Sequence, residues 1–547
     1  MALRRPGERA ILSGLALVAY LFVAVVVVLD AHSIIGDAWS RVANAYYVLY
    51  SRDPHLAAVG FVWNPLPSLA VLPLLPLKLI WPGIVATGFA GCIVSAICMA
   101  GAVWQVNGIA ADWNVRRAGR WVLTLAFAFN PMILYYAANG MSEAMFIFTL
   151  LIGTRYLARW GRSGEIVPLV IAGVALAAGY MTRYEAVVAA LGGVMAVAIL
   201  SVIRRPGPIR DRLAEGLADA TIFATPFATA FVGWAIASWL IVKDPFQQFT
   251  SVYGVVSQLE VAQTAVAQST GQGSSSAFVW IARQMVGLEP GIILILVFAL
   301  VAMLRGRHPL VLAGGAVLGA VVAFAAFGFL TGRTLGWLRY SIAIIPLATV
   351  LAIAVLAPSS GHELVGRPGA ERLRLWGGRL AGLAVVLLVL AAVPVGAMTM
   401  LDPAQNPAYG GEAFQLRPVL FPNEPMVKFT PQGQYDVGRL TVEYLDPLKL
   451  GNGEVLVDGA MGFPMILESN NPKQFITTSD RDFQQTLLDP GAFGVKYLLV
   501  PENVGYQSLD ALNRTYPTIY RDGAGISTLV REFSAGGNNW RLYRVGQ

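Results

Sequence analysis

Apolar residues run along this chain in blocks long enough to cross a bilayer. Eleven blocks are readable, at residues 10–29, 83–105, 121–138, 144–158, 166–181, 186–203, 217–242, 284–304, 309–330, 341–357 and 380–400. A hydrocarbon core about 30 Å thick calls for a helix of about 20 apolar residues. The predicted fold is therefore a polytopic α-helical membrane protein with about eleven spans. The first block follows a charged start at Arg4, Arg5 and Arg9, and its twenty uncharged residues are read as a retained span rather than a cleaved leader.

The pattern changes after residue 400. Pro403, Pro407, Pro418, Pro422 and Pro425 predict an irregular entry. Short apolar runs at 455–457, 475–477, 496–500 and 540–545 then read as strands. Helices are expected near 461–468, after Asp480 and near 508–515. The predicted organisation is a transmembrane domain at 1–400 and a small C-terminal α/β domain at 401–547. That domain carries no glycine-rich phosphate fingerprint.

Composition agrees: the 547 residues are 56% hydrophobic and 13% charged, with mean hydropathy +0.60, which excludes an ordinary soluble protein. The net charge is +7, and its distribution decides its meaning. With the N-terminus inside, the inner segments hold Arg4, Arg5 and Arg9; Arg116, Arg117 and Arg120; Arg159 and Arg162; Arg204, Arg205, Arg210 and Arg212; Arg305 and Arg307; and Arg367, Arg372, Arg374 and Arg379. Every inner segment is basic, which places the N-terminus in the cytoplasm and the C-terminal domain outside the plasma (inner) membrane. The excess charge is thus a topology signal, and no nucleic-acid partner is expected. Cys92 and Cys98 lie in one apolar block and are expected to be buried free thiols. The four histidines are scattered and no CxxC or HExxH occurs, so no transition-metal ligand set is read.

Chemistry concentrates in the outer segments. In loop 30–82, Trp39, Val42, Ala43, Tyr46, Leu49 and Tyr50 share one helical face, while Asp37, Arg41, Asn44 and Ser51 share the other. That is an amphipathic helix suited to the membrane interface. The bland reading of Asp37 is a helix N-cap, and a capping Asp can still face a cavity. Trp63-Asn-Pro-Leu-Pro-Ser then opens a Pro-broken segment ending at Lys78, predicted to be interfacial or re-entrant. Shorter outer segments carry Asn139 and Glu143; Arg183, Tyr184 and Glu185; and Arg333 and Arg339. Taken singly, each charge is a snorkelling or paired anchor. Together they offer carboxylates to move a proton and guanidinium forks to grip a phosphate. Trp39, Tyr135 and Trp337 are read as interface aromatics, and Arg155 and Asp219 as snorkelling or packing groups. Segment 243–276, rich in Gln, Ser and Gly, is a candidate lid.

These features match a known pattern in four places: Gly36-Asp37 with Asn44-Ala45, Asn64-Pro65-Leu66-Pro67, Met141-Ser142-Glu143 and Arg183-Tyr184-Glu185. Over residues 1–400 the chain resembles the GT-C superfamily of membrane glycosyltransferases, which includes the protein O-mannosyltransferases and the lipid A aminoarabinose transferase. The resemblance implies a sugar donor carried on a polyprenyl phosphate. It puts Asp37 where the family has its catalytic carboxylate and Glu143 near a second acidic residue, so both are expected to be catalytic. On that basis Asp37 is expected to act as general base, with inversion, toward a glycan, glycolipid or protein acceptor. Arg183, Arg333, Arg339 and Lys78 are expected to stabilise the leaving phosphate. Arg41, Asn44, Asn139, Tyr184 and Glu185 are expected to line the substrate site. Many members carry two adjacent acids in the first loop, whereas here Asp37 stands alone, and one carboxylate rarely holds a divalent cation without help. The alternatives are a transporter or lipid-glycan flippase, a non-catalytic assembly protein, and a ligase using a diphosphate-linked oligosaccharide. A transport path needs polar groups at the midplane, whereas these cluster on one side.

Overall fold

The structure is a computed structural model, and it describes residues 7–204, 206–261, 274–304, 308–358, 368–405, 411–424 and 431–546. Among the described residues, seven helices are long and apolar enough to cross a membrane: Gly7–Asp30, Phe89–Asp112, Ala186–Arg204, Ile209–Val242, Pro309–Leu330, Leu338–Leu356 and Gly378–Leu401. The predicted spans at 121–138 and 284–304 are bent rather than straight. The first is Arg117–Ala128 followed by Pro131–Ala138, bent by 57°. Pro131 has no N–H with which to continue the ladder, and the Asn130 side chain restarts the helix by accepting from the Met132 N–H at 3.1 Å. The second is Ala277–Leu288 followed by Ile292–Ala302, bent by 73° around Pro290 and Gly291. The predicted spans at 144–158 and 166–181 are the helices Glu143–Ser163 and Ile166–Thr182, but neither is among the helices long and apolar enough to cross: Arg155 and Arg159 dilute the first, and the second has 17 residues.

Two buried polar groups of the helices are packing groups, as expected. Arg155 bonds Asp112 at 2.7 Å and Gln105 at 2.9 Å. Gly108 makes room for it, since a Cβ there would stand 2.5 Å from the Arg155 guanidinium. Asp219 accepts from Ser201 at 3.0 Å. Cys92 and Cys98 are free thiols. Of the arginines used to orient the chain, Arg4, Arg5, Arg205, Arg305, Arg307 and Arg367 lie outside the described residues.

After Leu401 the chain builds a five-stranded sheet of order β2-β1-β3-β5-β4. Its strands are β1 Val455–Val457, β2 Phe475–Ile476, β3 Tyr497–Pro501, β4 Ser527–Ala535 and β5 Asn538–Val545. β1 pairs in parallel with β2 and β3, while β5 runs antiparallel to β3 and to β4. The edge strand β4 escapes the sequence reading because five successive residues, 528–532, are all exposed, which erases the alternation. The stretch predicted to be irregular contains the helices Glu412–Leu420 and Pro431–Leu445, while Pro407 and Pro425 lie outside the described residues.

The C-terminal unit covers the first-loop helix, Gly36–Tyr50, with helices and loops that flank its sheet. Trp39 meets Phe463 edge-on at 5.6 Å and Tyr435 at 6.1 Å. Tyr47 donates to the Gly459 carbonyl at 3.0 Å, just past β1. Arg52 pairs with Asp480 at 3.2 Å and with Asp482, just past β2. The helix is therefore buried on both faces, Arg41 included, instead of lying half-exposed in the interface. Gly88 permits this close fit. It takes a left-handed φ of 75°, which starts Phe89–Asp112 six residues later than the apolar pattern predicts. A Cβ at Gly88 would stand 2.6 Å from Ile34 and 3.0 Å from Trp39.

Candidate functional site

Asp37 is the second residue of its helix. The N-cap position belongs to Ile35, which makes no side-chain cap. The Asp37 side chain instead accepts from Arg339 Nη2 at 3.0 Å. Arg339 sits in the turn that opens Leu338–Leu356, with its guanidinium 4.2 Å above the Trp337 ring. Trp337 is buried under that cation and is not an interface anchor. The Asp37 side chain keeps 29% of its exposure and Arg339 keeps 6%, so the acid reaches solvent and the cation does not.

Arg41 lies one turn after Asp37. Its Nη1 donates to the Asp37 backbone carbonyl at 2.8 Å, and its guanidinium stands 5.0 Å from the Trp63 ring. Among the described residues Arg41 forms no ion pair, and its Nε has no hydrogen-bond partner. Burial lowers its pKa from the ordinary value, so an added anion beside it is favoured.

Arg183 follows Ile166–Thr182 in extended backbone. It donates to Glu143 at 2.8 Å and to Glu185 at 2.6 Å, so two carboxylates already neutralise it. Glu143 is 2% exposed and sits behind Arg183. It does not line the cavity that holds Asp37, where the sequence reading placed a second catalytic acid.

Two cavities meet at these residues. The first, about 750 Å³ with its open mouth, mixes charged and amide side chains with apolar ones and is lined by Asp37, Arg41, Trp63, Asn64, Gln248 and Tyr253 among others. The second, about 490 Å³, is lined by apolar side chains between helices: Phe146, Ile147, Val321, Phe324 and Ala325. Arg183, Tyr184, Glu185, Arg339 and Tyr340 border both. One polar wall thus separates a mixed, solvent-open hollow from a mostly apolar one.

Four predicted site residues stand elsewhere. Lys78 donates to the Tyr46 hydroxyl at 2.5 Å and lies over the Tyr46 and Tyr50 rings, outside both cavities. Arg333 is exposed beyond the end of Pro309–Leu330. Asn44 is half-buried and lines neither cavity. Asn139 shapes a turn by accepting from the Met141 N–H at 3.1 Å. Cations and amides near span ends look alike in a sequence, and which way each points depends on packing.

Other contributors were not assigned a role from sequence. Asn64 opens one of the four motifs of the family resemblance, while Trp63 precedes it and Tyr340 follows Arg339, so proximity was the only signal for those two. Gln248 and Tyr253 come from the candidate lid, whose residues 262–273 lie outside the described residues. Glu412 comes from beyond the last span and accepts from Tyr136 at 2.7 Å. Asn513, in an Asn-Arg-Thr triplet, is 3% exposed and donates to the Pro501 carbonyl at 2.9 Å, so the fold withholds it from glycosylation. The residues present do not suit a divalent cation. Among the described residues no three His, Cys, Asp or Glu converge, and Asp37, Glu143 and Glu185 each answer to a guanidinium.

Neither a protein-family model nor a curated protein matches the sequence. Solved structures do. ArnT from Cupriavidus metallidurans in the apo state superposes with a TM-score of 0.54 at 13% identity, over 98% of this chain and 98% of that one. The arabinofuranosyltransferase AftD from Mycobacteria gives 0.43 at 16% identity, over 100% of this chain and 42% of that one. The Archaeoglobus fulgidus oligosaccharyltransferase gives 0.41 at 10% identity, over 99% and 74%. The last two scores are too low to argue from, and the first speaks to fold alone. This chain is a multi-pass membrane protein with a GT-C-like fold.

Proposed function

We propose that the chain is a membrane glycosyltransferase that moves a sugar from a polyprenyl-phosphate donor to a glycan, glycolipid or protein acceptor outside the cytoplasm. The observation that carries this reading is the pair of cavities sharing one arginine-lined wall. An amphiphilic donor suits it: prenyl chain among Phe146, Val321 and Phe324, phosphate at the wall, sugar beside Asp37. The basic segments of the opposite side support placing this face outside the plasma (inner) membrane. The last span ends at Leu401, so residues 1–400 are read as the transferase core and 401–547 as a C-terminal unit covering it.

Asp37 takes the proton of the acceptor hydroxyl as that oxygen attacks the anomeric carbon. The carbon–oxygen bond to phosphate breaks and its electron pair leaves with the polyprenyl phosphate, inverting the anomeric centre. Arg41 meets the phosphate first, because it has no internal ion pair among the described residues. As charge grows on the leaving group, Arg339 turns from Asp37 toward it, which strengthens Asp37 as a base. Glu143 and Glu185 act as positioning residues that hold Arg183 in the shared wall.

The test is donor consumption by the full chain in lipid nanodiscs, using polyprenyl-phosphate-linked pentoses and hexoses with extracted cell-envelope glycans. Release of polyprenyl phosphate, abolished by Asp37→Ala, is expected. A protein that neither binds polyprenyl phosphate nor consumes any donor of the panel would overturn the reading, and an Asp37→Ala variant as active as wild type would remove Asp37 as the base.

A further inference from the structure

Segment 244–261 forms a wall of the first cavity through Gln248, Tyr253 and Gln258. It is folded on itself. The Asp244 carboxylate accepts from the Phe246 N–H at 2.9 Å, and Gln258 donates to the Tyr253 carbonyl at 2.9 Å. Gly254 allows the tight turn, since a Cβ there would stand 2.9 Å from the carbonyls of Gln248 and Ser251. The segment meets the transferase core through Phe249, whose ring lies 5.6 Å from that of Tyr184.

Its tie to the C-terminal sheet is Tyr253. The hydroxyl donates to Asp458 Oδ2 at 2.6 Å, and the Arg514 guanidinium lies 5.7 Å from the ring. Asp458 is a rigid anchor. It is fully buried at the carboxyl end of β1, and it accepts from the Ala460 N–H and the Ala511 N–H, each at 2.8 Å. β1 lies between β2 and β3, so Asp458 marks the place where successive crossovers leave the sheet in opposite directions, the usual crevice of parallel sheets. Burial and the Asp458 carboxylate push the Tyr253 hydroxyl far above its ordinary range, so it stays a donor.

We propose that Tyr253 is a positioning residue: its bond to Asp458 fixes segment 244–261 as a wall of the donor's sugar site and makes the C-terminal unit part of the working enzyme. This rests on the transferase reading above. The C-terminal unit therefore holds the cavity wall through Tyr253.

The experiment is Tyr253→Phe in the full chain in nanodiscs, which keeps the ring and deletes the tie. Hydrogen exchange of residues 246–258 is expected to quicken about tenfold, with exchange in β1 and β3 unchanged. KM for the donor that wild type consumes should rise about tenfold with kcat within about twofold. Unchanged exchange, or faster exchange with an unchanged KM, overturns the proposal. So does a fall in kcat alone, which would place Tyr253 in the chemistry. Asp37→Ala run in parallel separates the two claims. If that variant is inactive while Tyr253→Phe matches wild type, only the positioning role fails. If Asp37→Ala stays active, Asp37 is not the base whatever Tyr253 does, and the transferase reading fails only if wild type consumes no donor of the panel.

Discussion

Asp37→Asn separates a base from a counter-ion. The amide keeps the shape and can still accept from Arg339, but it cannot hold a proton taken from an acceptor. Loss of a positioned base costs about 10²- to 10⁴-fold in rate, or about 3–5 kcal/mol of barrier. The cost to folding is smaller. Breaking a fully buried pair costs about 3–5 kcal/mol, and an exposed pair contributes about 0–1 kcal/mol. The Asp37–Arg339 contact is 3.0 Å long with side chains 29% and 6% exposed, so it lies between those limits. With a neutral hydrogen bond surviving, about 1–2 kcal/mol is expected, a fall in Tm of only a few degrees. Arg339 would be released from a full counter-charge, so polyprenyl phosphate should bind the variant as tightly as wild type or more so. The assays are donor turnover, thermal melting, and the melting shift produced by polyprenyl phosphate. Turnover above about a tenth of wild type would refute the base. Joint loss of fold and phosphate affinity would make Asp37 a counter-ion only.

Three further outcomes are expected. Arg41→Gln removes a charged donor from the phosphate's first contact; a hydrogen bond to a charged group contributes about 1.5–3 kcal/mol, so donor KM should rise at least about tenfold with kcat nearly kept. Ala325→Trp fills the apolar cavity, and steady-state kinetics should show a larger KM increase for long prenyl donors than for two-isoprene analogues. Asp510→Asn tests the buried acids of the C-terminal unit: burial first, and then the neighbouring Asp458, push the Asp510 carboxyl well above the carboxylate range. A raised carboxyl pKa stabilises the fold below the ordinary carboxylate range, and that contribution is lost as pH rises through the raised value. Asn keeps the cap on the Asn513 N–H without the charge, so melting near about pH 8 should show a gain of about 1 kcal/mol that shrinks in acid.

The helices were legible because each apolar block is a local property of the chain, and so were Asp37, Arg183, Glu185 and Arg339, since charges beside a span stand out against their surroundings. The bends at Pro131 and Pro290 were not, because a hydropathy block looks the same straight or broken. The covering of helix Gly36–Tyr50 was not legible either. Its pattern fits an interface, and only contacts some 400 residues away, Tyr47 to Gly459 and Trp39 to Phe463, reveal a second buried face. Lys78 and Arg339 illustrate the same limit. Both are cations beside a span, yet one lies over the Tyr46 and Tyr50 rings while the other answers Asp37. Aromatic residues at span ends misled in the opposite direction, since Trp337 proved to be the platform for Arg339.

Charge counting explains why such a site would wait for its donor. Three guanidinium groups, Arg41, Arg183 and Arg339, face three carboxylates, Asp37, Glu143 and Glu185. The balance is neutral, so an arriving phosphate meets little net attraction beyond Arg41. Arg183 cannot turn to it without abandoning two acids that are nearly buried. Arg339 can, because its partner Asp37 still touches water and tolerates the loss. Donor binding on the proposed reading is therefore an exchange of partners at Arg339. The exchange has a direction: the acid gains proton affinity when the phosphate is in place, and not before. A base that is strong only beside a loaded donor has little chance to act on stray hydroxyls, and the ion pair between residues 37 and 339 supplies that restraint without any moving backbone.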